Sequence, residues 1–393
     1  MDRKILMISA EASGDLHGSS LIKALKRLSP SIVIKGMGGE KMIAAGLSGI
    51  DSTKLSVVGI VEVFRKFPAI VKAFLALKKL LKEEIFDCVV LIDYPDFNLR
   101  FAKAAKKRGL TVVYYISPQI WAWRKKRIFQ ISRVVDKMLV VFPFEEALYR
   151  EAGLDVEYVG HPVADIAVCG MSNGEAKEAL GIAKDTVAVA LLPGSRTEEL
   201  RRHLMPMVSG VKLLQQRLGT PVCALILAAP GIEEGLVKEL LKDSPPSLKI
   251  KVITKNTYTL LRAADIAAVA SGTATLETAL IGTPMVIVYR MSVLSYLIAK
   301  LLVSVDYIGL PNIISGNAFL PELIQGEVTP PNIAEELYGL LKNPGKQRAV
   351  KEGYERIKKD LAGKGAPERA ARAVFRLIGE SPLAGGEAYE HIS

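Results

Sequence analysis

Lys4-Ile5-Leu6-Met7-Ile8 is a short apolar run, and Ser9-Ala10-Glu11-Ala12-Ser13-Gly14-Asp15-Leu16-His17-Gly18 follows it directly. The first stretch predicts a buried β-strand, and the second predicts a turn of small residues that opens onto a helix near Ser19. Ligands of doubly wound sheets bind in the crevice beyond the carboxyl ends of the strands. This turn, with Glu11, Asp15 and His17 crowded together, is therefore the first candidate for a functional site.

The same pattern of a strand followed by a helix recurs along the chain in two sets. Strand-like runs occupy, in chain order, Lys4–Ile8, Ile32–Lys35, Asp87–Ile92, Thr111–Ile116, Lys137–Val141 and Val156–Val159, then Val187–Leu191, Val222–Leu227, Lys249–Ile253, Ile266–Ala270 and Met285–Tyr289. Alternating strands and helices predict parallel sheets, and two sets predict two Rossmann-like domains. A length of 393 residues also favours two domains. The predicted fold class is α/β with two doubly wound parallel sheets.

The break between the two sets lies near residues 165–175, because Gly160-His161-Pro162 ends the first set and the stretch 169–174 contains the turn-forming residues Gly170, Asn173 and Gly174. The last part of the chain, from Pro330 onward, has a helical pattern. We expect, in order, a first domain over 1–168, a second over 169–343, helices within 344–380 that return to the first domain, and a frayed tail over 381–393.

The composition indicates an anionic partner. The formal net charge is +11 and the pI is near 9.3, which suits a phosphorylated ligand, an anionic lipid surface or nucleic acid. The most apolar region, Met291–Val303, contains Lys300 and falls short of the roughly 20 residues of a membrane-spanning helix. The apolar run at Ile5–Ile8 is too short for an export signal, so a cytoplasmic location is expected.

Two carboxylates follow the strand Asp87–Ile92, in the sequence Asp93-Tyr94-Pro95-Asp96-Phe97-Asn98. A carboxylate at the carboxyl edge of a sheet can serve as a general base if its surroundings raise its pKa. Asp96 is also a good N-cap for a helix over Asn98–Arg108, and the residues alone leave both interpretations open. Asp93 is assigned a supporting role.

The second half of the chain carries turns suited to a diphosphate. Leu192-Pro193-Gly194-Ser195-Arg196 offers a close backbone approach and a forked cation, although an arginine there is often only solvated. Ser271-Gly272-Thr273 opens a helix whose N–H groups face an anion, and Glu277 on that helix could accept hydrogen bonds from a ribose. The alternative is a tight turn with a solvent-facing glutamate. Asn312 could also contact the ligand that carries this diphosphate.

A metal and a cofactor are not expected from this sequence. The histidines, His17, His161, His203 and His391, are scattered, and no Asp-x-Asp sequence occurs. The turn at Ser13 and Gly14 does not form the dinucleotide fingerprint GxGxxG. Arg196 and helix dipoles are the expected means of neutralising a diphosphate.

Two stretches suit a membrane surface. Val63–Lys82 mixes lysines with apolar residues at helical spacing, including Phe64, Phe67 and Phe74. An ordinary amphipathic helix facing the core is the alternative. Trp121-Ala122-Trp123-Arg124 begins a second aromatic and basic patch, which by itself would also suit nucleic acid.

Taken together, these segments resemble the lipid-A-disaccharide synthase family over nearly the whole chain. The resemblance rests on the following strings: Glu11-Ala12-Ser13-Gly14-Asp15, Val58-Gly59-Ile60-Val61-Glu62-Val63, Asp93-Tyr94-Pro95-Asp96-Phe97-Asn98, Ser117-Pro118-Gln119-Ile120-Trp121-Ala122-Trp123-Arg124, Tyr158-Val159-Gly160-His161-Pro162, Leu192-Pro193-Gly194-Ser195-Arg196, Ser271-Gly272-Thr273 with Glu277, and Leu310-Pro311-Asn312. Ala10 departs from the family, which usually has glycine before the glutamate.

The resemblance implies a GT-B fold with two domains facing a cleft and an inverting, metal-independent transfer. The reaction would move 2,3-diacylglucosamine from UDP to the 6-hydroxyl of 2,3-diacylglucosamine 1-phosphate, giving a β-1,6-linked disaccharide. Asp96 would be the base, with Asp93 and Glu11 as further catalytic candidates. The implied UDP-binding residues are Ser13, Gly14, Gly194, Ser195, Arg196, Ser271, Gly272, Thr273, Glu277 and Asn312.

The resemblance also implies partners. We expect peripheral association with the inner face of the cytoplasmic membrane through Phe64, Phe67, Phe74, Trp121, Trp123 and Arg124. A homodimer with exchanged C-terminal helices is expected, and nucleic acid is not. One alternative is a UDP-sugar 2-epimerase of the same fold, which would need no acyl-chain surface. The other is a basic nucleic-acid-binding protein, but the paired carboxylates would repel the phosphates of the nucleic acid.

Overall fold

Each half of the chain folds around a parallel β-sheet in the computed structural model, which describes residues 3–52, 60–122, 125–229, 231–302, 305–361 and 363–379. Two compact units result. Unit 1 comprises Met1–Pro162 and Leu361–Ser393, and unit 2 comprises Val163–Asp360. The first boundary lies six residues before the expected end of the first domain at 168. The expected frayed tail and the motif residues Val58 and Gly59 lie outside the described residues.

Unit 1 contains seven described strands in the order β3-β2-β1-β4-β5-β6-β7. The strands are β1 (Lys4–Ile8), β2 (Val33–Gly38), β3 (Ser48–Asp51), β4 (Cys88–Ile92), β5 (Thr111–Tyr115), β6 (Lys137–Val140) and β7 (Asp155–Tyr158). The central strands are almost wholly buried, as expected for a parallel sheet covered on both faces. In register, Ile5 of β1 lies between Ile34 of β2 and Cys88 of β4.

Helices cover the unit 1 sheet. They are α1 (Ala12–Leu28), α2 (Glu40–Ala44), α3 (Ile60–Glu83), α4 (Pro95–Lys106), α5 (Ile128–Ile131), α6 (Pro143–Glu151) and the C-terminal α17 (Ala366–Leu377), with a 3₁₀ turn at Lys125–Arg127.

Unit 2 repeats the plan with six described strands in the order β10-β9-β8-β11-β12-β13. They are β8 (Val187–Leu192), β9 (Val222–Leu227), β10 (Lys249–Ile253), β11 (Ile266–Ala270), β12 (Met285–Tyr289) and β13 (Glu322–Ile324). The helices are α7 (Val163–Ile166), α8 (Asn173–Ala179), α9 (Thr197–Leu218), α10 (Glu234–Leu240), α11 (Thr257–Ala263), α12 (Thr273–Ile281), α13 (Val293–Leu302), α14 (Leu310–Ser315), α15 (Pro330–Lys342) and α16 (Pro344–Asp360), with a 3₁₀ turn at Gln325–Glu327.

The C-terminal helices divide between the two units. The last helix, α17, packs on α1, and Arg369 Nε donates a 2.8 Å hydrogen bond to the Val159 carbonyl of unit 1. The expectation that all helices of 344–380 return to the first domain is wrong for α16, which packs on α12, α14 and α15. Buried Tyr354 of α16 donates a 2.8 Å hydrogen bond to the Thr283 carbonyl, which ties this helix to unit 2.

The strands predicted from apolar runs are all present, whereas the edge strands β3 and β13 were missed. β3 has the sequence Ser-Gly-Ile-Asp and β13 spans only three residues, so neither forms an apolar run. A second difference is that α1 starts at Ala12 and not near Ser19. Gly14 is inside this helix because of close packing, since a Cβ there would lie 2.2 Å from Ser9 Oγ.

Candidate active site

The turn after β4 has a strained backbone at the carboxyl edge of the unit 1 sheet. Asp93 and Tyr94 adopt left-handed φ angles of 50° and 45°, which non-glycine residues rarely do. Asn98 Nδ2 donates hydrogen bonds to the carbonyls of Ile92 (3.1 Å) and Asp93 (2.7 Å), and Tyr114 Oη donates a third to the Asp93 carbonyl (2.5 Å). These bonds hold the Asp93 backbone in a conformation it would otherwise leave, a common property of active sites.

The Asp93 side chain has the electrostatics of a base that works near neutral pH. Burial and, after it, the negative charge of Glu11 raise the pKa of its carboxyl to about 7, against the hydrogen bond from the Tyr94 N–H. Glu11 lies at the N-cap of α1, after β1, which pairs with β4. The structure therefore brings two of the predicted catalytic carboxylates together.

Asp96 has a different environment. Its side chain is 66% exposed and forms an ion pair with Arg127. Of the two interpretations left open for Asp96, the N-cap is excluded, because α4 begins at Pro95 with Tyr94 at the N-cap, which places Asp96 in the first turn.

A buried glutamate that the sequence reasoning missed lies at the same sheet edge. Glu145 of α6 is fully buried, and its Oε1 accepts hydrogen bonds from Ser117 Oγ (2.6 Å) and Trp121 Nε1 (2.9 Å). Its Oε2 accepts one from the Phe142 N–H (3.2 Å). Burial raises the pKa of Glu145 to about 7, against these donors. This carboxyl fixes the loop after β5 to the start of α6.

Aromatic rings surround this network. Trp121 packs edge-on against Phe144 with ring centroids 5.2 Å apart, and Phe142 stacks on Phe144 at 5.7 Å. Trp121 is half-buried, and its indole N–H and one side of its ring are engaged inside unit 1. Its contact with a membrane stays a prediction. Trp123 and Arg124 lie outside the described residues.

The polar residues Asp15 and His17, which the sequence places close together after β1, form contacts with different parts of unit 1. Asp15 accepts hydrogen bonds from the backbone N–H groups of Lys41 (3.1 Å) and Met42 (2.9 Å), which joins α1 to α2. His17 is buried 5.8 Å from the ring of His161, and burial lowers the pKa of His17 to about 4. Ser13 remains half-buried in the first turn of α1.

In unit 2 the turn after β8 carries the predicted cation. Gly194 has a φ of 122°, and a Cβ there would lie 2.4 Å from Glu199 Oε2. That carboxylate accepts hydrogen bonds from the backbone N–H groups of Ser195 (3.0 Å) and Arg196 (3.3 Å). The Arg196 side chain is 56% exposed, and its guanidinium, 3.5 Å from the Glu199 carboxylate, can meet an anion from solvent.

The turn after β11 lies beside the β8 turn, because the two strands are neighbours. Gly272 and Thr273 are exposed at the start of α12, where the first-turn N–H groups favour an anion. Ser271 Oγ donates a 2.7 Å hydrogen bond to the Ile308 carbonyl, which fixes the turn to the next loop. Glu277 Oε1 accepts a 2.9 Å hydrogen bond from Tyr258 of α11, so its carboxylate is oriented before any ligand arrives.

The structure corrects the assignment of Asn312 to direct donor contact. Asn312 is fully buried, and its amide donates to Leu320 O (2.9 Å) and Glu322 Oε1 (2.8 Å) and accepts from the N–H groups of Phe319 and Leu320. All its hydrogen-bonding capacity is used. Glu322 also accepts from the N–H groups of Ile308 and Gly309, so Asn312 and Glu322 hold the loop that supports Ser271.

The predicted membrane helix α3 has one buried face and one exposed face. Ala73, Leu77 and Leu81 are buried, whereas Val71 and Leu75 are 38% and 57% exposed. Phe74 is half-buried and packs inside unit 1, with its ring 5.5 Å from Phe97 and 5.8 Å from Phe101, and its contact with lipid stays a prediction. The side chains of Phe64 and Phe67 lie outside the described part of the structure.

The structure thus distributes the predicted residues over two sheet edges. Asp93, Asp96, Glu11, Ser13 and Gly14 belong to unit 1, and the remaining predicted donor residues belong to unit 2. Sequence reasoning missed three buried or half-buried residues that form hydrogen bonds between loops at these edges: Glu145, His203 and Glu322. A glutamate two residues after a proline-led helix start was the available signal for Glu145; the other two gave none.

Within the ranges given above, no group of three or more His, Cys, Asp or Glu side chains is placed to hold a metal ion. The helices described in the structure include none long and apolar enough to cross a membrane.

Two doubly wound units of this kind, with nucleotide-type turns in the second, define the GT-B fold. The fold is shared with CalG4, the calicheamicin glycosyltransferase (TM-score 0.63, 15% identity, 98% of this chain and 99% of that chain). It is also shared with the UDP-GlcNAc 2-epimerase from Neisseria meningitidis bound to UDP-GlcNAc (TM-score 0.60, 13% identity, 96% and 99%). At these identities the likeness concerns the fold alone.

Sequence comparison gives the family. The family model described as lipid-A-disaccharide synthetase matches residues 5–375. The lipid-A-disaccharide synthase of Syntrophus aciditrophicus (strain SB) is 45% identical over 379 residues, which cover 96% of this chain and 98% of that protein. The chain belongs to the lipid-A-disaccharide synthase family, and the epimerase alternative is set aside.

Proposed function

We propose that the protein transfers 2,3-diacylglucosamine from its UDP derivative to the 6-hydroxyl of 2,3-diacylglucosamine 1-phosphate, with inversion and without a metal ion. Family membership supports the substrates. The observation that carries the chemistry is the half-buried Asp93 carboxyl at the end of β4, whose pKa of about 7 suits a base at neutral pH.

In this proposal Asp93, and not Asp96, receives the proton of the acceptor hydroxyl. The hydroxyl oxygen forms a bond to the anomeric carbon of the donor as the bond from that carbon to the UDP oxygen breaks. The proton passes to the Asp93 carboxylate, and UDP leaves as an anion. Asp96 is less suited to this step, because it is mostly exposed and paired with Arg127.

The donor nucleotide would bind to unit 2. The Arg196 guanidinium and the N-terminus of α12 at Gly272 and Thr273 would stabilise the charge on the departing diphosphate. Glu277, oriented by Tyr258, would accept hydrogen bonds from the ribose hydroxyls. Ser13 and Gly14 stay predictions for UDP contact from the α1 turn.

We further propose that α3 rests on an anionic membrane surface at the cytoplasmic side. Its exposed face combines Val71 and Leu75 with exposed Lys72, Lys78 and Lys79. Apolar side chains enter the headgroup region while lysines meet anionic lipid, and the net charge of +11 adds to this attraction. The surface would give access to acylated substrates.

A homodimer with exchanged C-terminal helices also remains a proposal. α17 is bound to α1 by an ion pair between Arg27 and Glu368 and to β7 by Arg376 and Glu157 (2.6 Å). The same contacts could form with the α17 of a second copy. Light scattering would test it. Wild type should have the mass of a dimer, and Arg376→Glu, which replaces the ion pair with Glu157 by a repulsion, should have a lower mass.

The central experiment supplies both substrates in detergent micelles with a chelator present. We expect UDP and a disaccharide 1-phosphate in equal amounts, and no UDP release when the acceptor is omitted. UDP release independent of the acceptor would contradict the proposed transfer, and a product that forms only after a divalent ion is restored would contradict its metal independence.

A further inference from the structure

A single buried histidine of α9, His203, joins two loops at the carboxyl edge of the unit 2 sheet. Its Nδ1 lies 2.8 Å from the Pro193 carbonyl oxygen, and its Nε2 accepts a 2.8 Å hydrogen bond from the Arg290 N–H. Because Nε2 accepts, the neutral ring carries its proton on Nδ1 and donates it to Pro193. The side chain is fully buried, and its ring lies 5.7 Å from that of Tyr289.

The strand order shows which loops this histidine connects. Pro193 directly follows β8 and Arg290 directly follows β12, and these strands are separated in the sheet by β11. The histidine therefore links the two loops that flank the turn after β11. That turn contains Ser271, Gly272 and Thr273, to which we assigned the diphosphate.

We propose that His203 is a positioning residue that sets the spacing of the two loops on either side of the β11 turn and so preorganises the donor site. The inference rests on the proposed function, because it concerns the same site. Arg196 follows Pro193 by three residues, so the clamp on Pro193 also limits where the guanidinium can lie. A site held in its binding geometry loses less entropy when the nucleotide binds.

The charged groups around the ring favour its neutral form. Burial lowers the pKa of His203, and Arg202 of α9 adds to this effect. The Glu199 carboxylate and the hydrogen bonds to Pro193 and Arg290 oppose it. Protonation would place a hydrogen on Nε2 opposite the Arg290 N–H, so the clamp is present at neutral pH and is lost as the pH falls below the ordinary histidine range.

The test compares His203→Phe, which keeps a buried ring without either hydrogen bond, with His203→Gln, whose amide can both donate and accept. A matched control is Thr283→Val. Thr283 Oγ1 donates a buried 2.6 Å hydrogen bond to Leu261 O in the same unit, and Thr283 precedes β12, at the other end of the strand from Arg290. The measurements are UDP affinity by calorimetry, KM for each substrate, kcat, and thermal unfolding.

We expect His203→Phe to bind UDP about tenfold or more weakly and to raise the donor KM in parallel, with the acceptor KM unchanged. His203→Gln should recover part of the affinity. UDP affinity should fall at acid pH in wild type and fall less in His203→Gln, since protonation of the terminal phosphate of UDP weakens binding in both proteins. Thr283→Val should lower the unfolding temperature and leave UDP affinity within about twofold.

A folded His203→Phe protein with wild-type UDP affinity and donor KM would overturn the inference. An equal loss of affinity in Thr283→Val would also overturn it, because the effect would then be general destabilisation. If wild type releases UDP in the two-substrate assay, either result leaves the proposed function intact. A wild-type protein that binds no UDP would overturn both.

Discussion

The two sheets of this protein share a strand order, but the residues at their carboxyl edges differ in chemistry. Unit 1 has the order β3-β2-β1-β4-β5 around its first strand, and unit 2 has β10-β9-β8-β11-β12 around its own. At the unit 1 edge, Asp93 and Glu145 are carboxyls with pKa values raised to about 7. At the unit 2 edge, the corresponding turns present Arg196 and a helix N-terminus.

One structural frame can therefore support opposite electrostatic tasks. Both frames deliver loops to the carboxyl edge of a parallel sheet, where ligands of such folds bind. Buried carboxyls without a cationic partner hold protons near neutral pH, which suits proton transfer. A guanidinium and free helix amides suit an anion. We therefore infer that unit 1 deprotonates the acceptor and unit 2 holds UDP.

The largest expected effect comes from Asp93→Asn. If this carboxylate takes the acceptor proton, kcat should fall by roughly 10² to 10⁴ with UDP affinity unchanged, since general-base catalysis contributes about that much. In wild type, kcat/KM should rise with pH through about 7, the pKa of Asp93, because only the ionised carboxylate accepts a proton. Steady-state kinetics and calorimetry measure both quantities.

Asp96→Asn is the matched control for this prediction. It removes one carboxylate charge three residues away, from an exposed ion pair with Arg127, and should reduce kcat by much less. A larger loss in Asp96→Asn than in Asp93→Asn would return the base assignment to Asp96.

The next effect is expected from Arg196→Ala. Loss of a charge-assisted hydrogen bond to the diphosphate should weaken UDP binding about tenfold to a hundredfold. Arg217→Ala removes the same charge at the other end of α9, where Arg217 pairs with Glu335, and should leave UDP affinity within about twofold. Equal effects in the two variants would show that only the overall charge matters.

Glu145→Gln probes the buried carboxyl through stability. The folded pKa of about 7 lies above the unfolded value near 4.5, so the folded state binds the proton more tightly. The stabilisation that the protonated Glu145 carboxyl gives the folded state is present below about pH 4.5 and is lost as the pH rises through about 7. The unfolding free energy of wild type relative to Glu145→Gln should therefore fall by on the order of 3 kcal/mol across this range.

A glutamate with the opposite shift serves as the control for Glu145. Hydrogen bonds from the backbone and hydroxyl of Ser172 lower the pKa of Glu175. Glu175→Gln should therefore cost stability above the unfolded pKa, and that cost should disappear as the pH falls below it. Denaturant titrations at several pH values measure both variants, and the same trend in both would contradict the assigned burial effect at Glu145.

The smallest effect is expected at the membrane surface. Val71→Ser and Leu75→Ser each remove one exposed apolar side chain from α3, so binding to anionic vesicles should weaken only a few-fold per substitution. Ala73 is buried on the opposite face and is not a suitable control, whereas the exposed Leu213→Ser of unit 2 is. Cosedimentation that responds equally to Leu213→Ser would exclude α3 as the contact surface.

The sequence was sufficient for the frame and for the position of the candidate residues. Apolar runs such as Cys88–Ile92 are read easily because both faces of a parallel sheet are buried. The short edge strand Glu322–Ile324 lacks that signal. Glycines were read as turn residues, yet Gly14 lies inside α1 because the helix packs closely on Ser9.

Roles within the site depended on packing and could not be read from residue type. Asp93 and Asp96 are three residues apart, and only the structure distinguishes the half-buried carboxyl from the exposed ion pair. Asn312 was an attractive ligand until its amide proved fully occupied. His203 gave no signal, since it contacts residues ten and 87 positions away.

The division of tasks between the two units is tested most directly by hydrogen–deuterium exchange of the wild-type protein with and without UDP. We predict slower exchange of the amides at 194–196 and 271–275 in unit 2 when UDP is bound. Slower exchange confined to residues 12–18 of unit 1, with unit 2 unchanged, would contradict it.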